Sequence, residues 1–167
     1  MPHPSLGFPP HDIFAGHPAA AARLRASRGR LTKIALQNAL TDFPALADRY
    51  DEATLRLFLR DLNQHIEQLA KGLETGNEWF VTGYAEWLVP IFRRRRIPMR
   101  DFIAIVLGLK SATATVLTPE ENEKADQLFE LWVAQLKEHE RLPGDHNGNP
   151  IVRFFWKGAG IGDDKWV

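Results

Sequence analysis

EATLRLFLRDLNQHIEQLAKGL, residues 52–73, is the stretch whose reading decides the fold class. Its apolar side chains fall at Leu55, Leu59, Leu62, Ile66, Leu69 and Leu73, in alternating steps of four and three. Such steps return to one face of a 3.6-residue helix, so the segment predicts a long amphipathic helix with a bundle-type seam. Asp51 supplies an N-cap and Thr75-Gly76 a stop.

Three more helices are predicted downstream. From Asn77, Phe80, Tyr84, Trp87, Leu88 and Ile91 share one face, with Pro90 expected to kink or end the last turn. Pro98 suits the first turn of the next helix. Phe102, Ile103, Ile105, Val106 and Leu109 make that helix apolar almost all round, the pattern of a centrally buried element. Thr118-Pro119-Glu120-Glu121 is a capping box, opening a helix that buries Leu128, Phe129, Trp132, Val133 and Leu136 and runs to about His139. Upstream, Leu31, Ile34, Ala35 and Leu40 predict a short helix ending near Phe43-Pro44. The expected fold is all-α: an up-and-down four-helix bundle with an extra N-terminal helix and extended N- and C-terminal arms. The connections are short, which favours antiparallel neighbours. The divisions are an extended arm over 1–30, the bundle over 31–142 and an aromatic, glycine-rich tail over 143–167.

The ends differ in composition from the centre. Residues 1–22 combine prolines, His3, His11 and His17 with a short alanine run. Arg23, Arg25, Arg28, Arg30 and Lys33 then form a basic stripe with no acid among them. The tail carries Phe154, Phe155, Trp156 and Trp166, too many aromatics for a solvated segment. Ile151–Trp156 is the one stretch that reads as a short strand.

Composition narrows the function classes. The 167-residue chain holds 21 basic and 21 acidic residues, so no net field draws it to nucleic acid or an anionic membrane. Without cysteine, disulfides, thiolate metal sites and cysteine nucleophiles drop out. No apolar run reaches the ~20 residues of a membrane span, and MPHPSLGFPP lacks the regions of a signal peptide, so a cytoplasmic protein is expected.

DLNQHIEQLAKGLETGNEWFVTGYAEWLVPIFRRRRIP, residues 61–98, joins an Asp-Leu…His helix to an aromatic helix that ends in an arginine-rich turn. The segment resembles the helical, globin-like sensor heads of bacterial regulators, including stressosome co-antagonists and the modules beside cobalamin-binding domains. The resemblance covers roughly residues 50–140 and implies a sensory bundle without an enzymatic site. No output domain of the kind that accompanies such heads is expected within these 167 residues.

His65 is the histidine of the predicted bundle, with Asp61 one turn before it. An acid–histidine pair orients an imidazole as a metal or haem ligand, and Phe80, Tyr84 and Trp87 would line the slot. The structural alternative is a boundary histidine bonded to its own helix. Arg93, Arg94, Arg95 and Arg96 exceed what a helix C-terminus needs against its dipole, which points to an anion or an acidic partner. Their structural alternative is a solvated turn near Asp101 and Glu86. No Glu-x-x-His pair, nucleophile elbow or P-loop is present, so no catalytic or metal residue is assigned. The expected function is a non-catalytic protein-binding subunit or adaptor without cofactor. Its arms would wrap unlike protein subunits through Arg93–Arg96, Phe154, Phe155, Trp156 and Trp166. The alternative is a sensory module holding a haem, another tetrapyrrole or a small apolar ligand at His65, Phe80, Tyr84 and Trp87.

Overall fold

The computed structural model describes residues 16–141, and these are all-α as expected. Six helices follow in order: α1 (Pro18–Asp42), α2 (Ala45–Arg49), α3 (Glu52–Thr75), α4 (Trp79–Arg94), α5 (Met99–Thr113) and α6 (Pro119–Arg141). No described helix is long and apolar enough to cross a membrane. The expected strand at 151–156, the tail aromatics and the first half of the N-terminal arm lie outside the described residues.

The local signals of α3 and α6 act as read. The Asp51 carboxylate accepts from Thr54 N–H at 2.8 Å, and Gly76 at φ 69° ends α3 in the left-handed conformation. At the start of α6, Thr118 N–H donates to Glu121 and Glu121 N–H returns to Thr118 Oγ1, the reciprocal pair of a capping box.

Three expectations are corrected. The arm placed at 1–30 is helical from Pro18 onward, because proline at the first helical position and an alanine run both favour the helix. α1 is therefore 25 residues long, and it stands within the bundle rather than beside it, packing along both α3 and α5. Half of its buried residues are alanines, and the small side chains of Ala35 and Ala39 let α5 come close: a Cβ on Gly108 would lie 2.3 Å from the Ala35 carbonyl oxygen. Third, of the two outcomes expected at Pro90 the helix end does not occur: α4 continues through it to Arg94. Pro90 sits on the solvent face, where the Glu86 carbonyl that loses its helical donor can turn to water.

The helices close on one another in the order α1, α5, α6, α4, α3 and back to α1. α1 runs antiparallel to α3: His17 N–H caps the Leu73 carbonyl at 2.6 Å, while Arg25 bonds Glu67 and Glu74. The basic stripe is thus largely neutralised by acids distant in sequence. Arg23 bonds Glu121 on α6, Arg25 bridges the two α3 glutamates, and Arg28 lies 3.7 Å from Glu67. Glu74 is held below the usual carboxylate range by its hydrogen bond to Arg25.

Candidate functional site

Two places gather the residues that sequence analysis singled out. The first is the centre of the bundle. Leu62, Ile66 and Leu69 define the buried stripe of α3, and His65 lies on the same stripe, only 1% exposed. It is a core residue, not a boundary one. Its Nδ1 stands 2.9 Å from the Tyr84 hydroxyl of α4. The rings of Phe102, Trp132 and Phe92 stand with centroids 5.5, 5.6 and 6.4 Å from the imidazole. Burial pushes the His65 pKa down to about 3, with Arg95 adding to the effect, so the ring is neutral. Burial likewise pushes the Tyr84 phenol up, with Asp61 adding to it. His65 Nε2 and Trp132 Nε1 are buried without a hydrogen-bond partner among the described residues.

The expected partner of His65 is elsewhere. Asp61 faces away and bonds Arg95, with Arg60 also 3.5 Å from its carboxylate. Nor do the four residues of the sensor reading converge. Tyr84 touches His65, whereas Trp87 lies outside at 61% exposure, stacked on the far side of Tyr84 at 5.9 Å. Phe80 is half-buried and meets Trp79 edge-on at 5.8 Å. A tetrapyrrole bound through Nε2 does not fit this packing: Phe92, Phe102 and Trp132, each at most 1% exposed, stand around the imidazole.

The second place is the end of the bundle where α4 and α6 terminate. α4 closes with paired bonds, Ile97 N–H to the Phe92 carbonyl and Arg96 N–H to the Arg93 carbonyl. This Schellman pattern puts Arg96 at φ 59°, a left-handed position that usually takes glycine. The four consecutive arginines therefore diverge. Arg93 turns to α6 and donates to the His139 carbonyl at 3.0 Å. Arg95 turns to α3, bonding Asp61 with its guanidinium 5.8 Å from the Phe92 ring centroid. Arg94 is exposed, with no ion pair among the described residues.

The acids assigned to this cluster from sequence are committed to other partners. Asp101, 2% exposed, accepts from Arg49 at 2.7 Å and from the Tyr50 hydroxyl at 2.6 Å. Glu86 accepts from Gln135, stands 2.7 Å from His139 Nε2, and is held below the usual carboxylate range by the His139 bond. Together Glu86, Gln135, His139 and Arg93 clamp the last turns of α6 to α4. The last described turn of α6, up to Arg141, therefore lies beside the arginine-rich end of α4.

Sequence reasoning missed the Asp61–Arg95 pair and the Glu86–His139 clamp. Both join helices far apart in the chain, and only a three-dimensional pairing reveals them. The groups of metal-ligating side chains that a cation would need are absent among the described residues. Comparison with protein-family models and with curated proteins finds no match to this chain.

Proposed function

We propose that this protein is a non-catalytic protein-binding subunit or adaptor of the cytoplasm. Its helical body presents one end to an unlike protein partner, without nucleic acid or a resident cofactor. The observation that carries the reading is the Arg93–His139 carbonyl bond. Because of it, the last described turn of α6, after which the sequence runs on to Phe154, Phe155, Trp156 and Trp166, is held to the arginine-rich end of α4. Trp87, 61% exposed and two turns before Arg94 on α4, extends that end with the residue type that dominates interface energetics.

The test is isolation of the complex from the source cell by native mass spectrometry. The full chain, a chain lacking 144–167 and a Trp87→Ala variant would be compared. The reading expects the full chain to retain an unlike subunit and the truncation to lose it. Retention after truncation would refute the assignment of the tail. The sensory-module reading suggested by residues 61–98 rests on one observation, the unpartnered Nε2 of buried His65. A co-purifying small apolar molecule, not a tetrapyrrole, would favour it.

A further inference from the structure

α1 and α3 leave a groove between them of about 340 Å³, lined by Lys33, Leu36, Gln37, Leu40, Thr41 and Leu59. That is near the lower end of the volumes that bind ligands, roughly 300–1,000 Å³. Leu36 and Leu40 stand one turn apart on α1, with Leu59 of the antiparallel α3 as the opposite wall. Leu36 is buried while Leu40 and Leu59 are half-buried, so the floor is apolar and open along its length. A trough between two helices with leucines at helical spacing has the form that accepts side chains of a third helix.

The rim is cationic. Lys33 lines the groove and Arg30 precedes it by one turn; both are exposed, and neither has an ion pair or hydrogen bond among the described residues. On α3, Arg60 follows Leu59 and shares the Asp61 carboxylate with Arg95. The carboxylates along these two helices are mostly committed: Glu67 holds Arg25 and Arg28, and Glu52 holds Arg56. Asp42 remains, next to Thr41 at the α1 C-terminal end of the groove, away from Lys33 and Arg30 by two turns or more.

We propose that this groove receives an acidic amphipathic helix of the protein partner. Aliphatic side chains spaced three or four residues apart would enter between Leu36, Leu40 and Leu59. Flanking glutamates or aspartates would meet Lys33 and Arg30, the cations without an ion pair among the described residues. Rim charges of this kind steer association and fix orientation, while the buried aliphatic contacts hold the complex. The inference rests on the protein-binding reading and names a second surface for it, distinct from the arginine-rich end.

The test places a benzophenone photo-crosslinking amino acid at Gln37 of the full chain in its source cell, and the same label at Trp87 in a parallel sample. Cross-linked peptides are mapped by mass spectrometry, with and without the double change Arg30→Glu and Lys33→Glu. The expected result is an acidic amphipathic segment captured from position 37. Reversing both rim charges should lower its yield about tenfold, while Lys33→Arg preserves it. A captured segment that is basic or uncharged, a second copy of this chain, a lipid adduct, or a yield indifferent to charge reversal would each overturn the inference. Capture from position 87 but not from 37 would remove the groove and leave the protein-binding reading standing. Capture from neither would remove both.

Discussion

Gly108→Ala tests the α1–α5 packing, because two principles predict opposite signs for it. In a helix interior, alanine for glycine gains about 1 kcal/mol from conformational entropy alone. Here the new Cβ would stand 2.3 Å from the Ala35 carbonyl oxygen, 2.9 Å from Ala39 N and 3.0 Å from Ala39 Cβ. Two of these are backbone atoms of α1 and have no rotamer to move into. Ordinary contact begins near 3.4 Å, so the helices would have to part by roughly 1 Å along the seam. A gap of that size forfeits a quarter to a half of each dispersion contact across it. Overpacking of this kind costs about 1–3 kcal/mol, enough to overcome the propensity gain. Gly29→Ala is the internal control: it lies in the same α1, is exposed, and a Cβ there meets nothing within 4 Å. Urea denaturation followed by far-ultraviolet circular dichroism should show Gly108→Ala less stable by about 1 kcal/mol net and Gly29→Ala more stable by about 1 kcal/mol, with equal denaturant slopes. If both alanines stabilise, the close approach of α1 to α5 is wrong.

Two further outcomes concern the buried polar cluster. His65 titrates near 6.5 in an unfolded chain but is pushed down to about 3 in the fold. The unfolded state therefore binds the proton first, so His65 leaves stability intact above pH 6.5 and erodes it as pH falls from there toward 3. Urea midpoints should show about 2 kcal/mol lost between pH 7 and pH 5, and a flat profile over that range would refute the burial of a neutral imidazole. Glu74 and Glu86, both depressed below 4.5, act in the same direction only at lower pH, which leaves that window to the histidine. Tyr84→Phe removes the hydroxyl at 2.9 Å from His65 Nδ1 and leaves the imidazole without that partner. A loss of about 1–3 kcal/mol is expected, with helical content unchanged, and an unmoved urea midpoint would contradict the bond.

The helices that sequence makes legible are those whose signals are local. The four-three spacing of α3, its Asp51 cap and Gly76 stop, and the Thr118–Glu121 box of α6 need no information from beyond a few residues. The sequence shows only the second half of α1 as helix, for a physical reason. Its contact face toward α5 is built from Ala35 and Ala39, which bury little area each and carry almost no hydrophobic periodicity. Their value lies in what they permit, a close helix crossing, and that is a property of the pair. The left-handed Arg96 is similar: without glycine there, nothing in the chain announces the bonds that end α4.

Charge shows the same limit more sharply, and it bears directly on function. The Arg23–Lys33 stripe has no acid within it, yet Arg23 pairs with Glu121 across 98 residues of sequence and Arg25 with Glu67 and Glu74 across 42 and 49. Overall neutrality does not reveal which cations are committed. Subtracting the ion pairs does: Arg23, Arg25 and Arg28 are paired with acids of α3 and α6, which leaves Lys33, which lines the α1–α3 groove, and Arg30 one turn before it. The same subtraction at the end of α4 removes Arg93 and Arg95, which fasten α6 and α3, and leaves Arg94 facing solvent. A run of basic residues therefore overstates the charge offered to a partner, because the fold uses part of it to hold its own helices together. The surfaces worth testing are the ones where a cation remains beside exposed apolar side chains after that internal demand has been met.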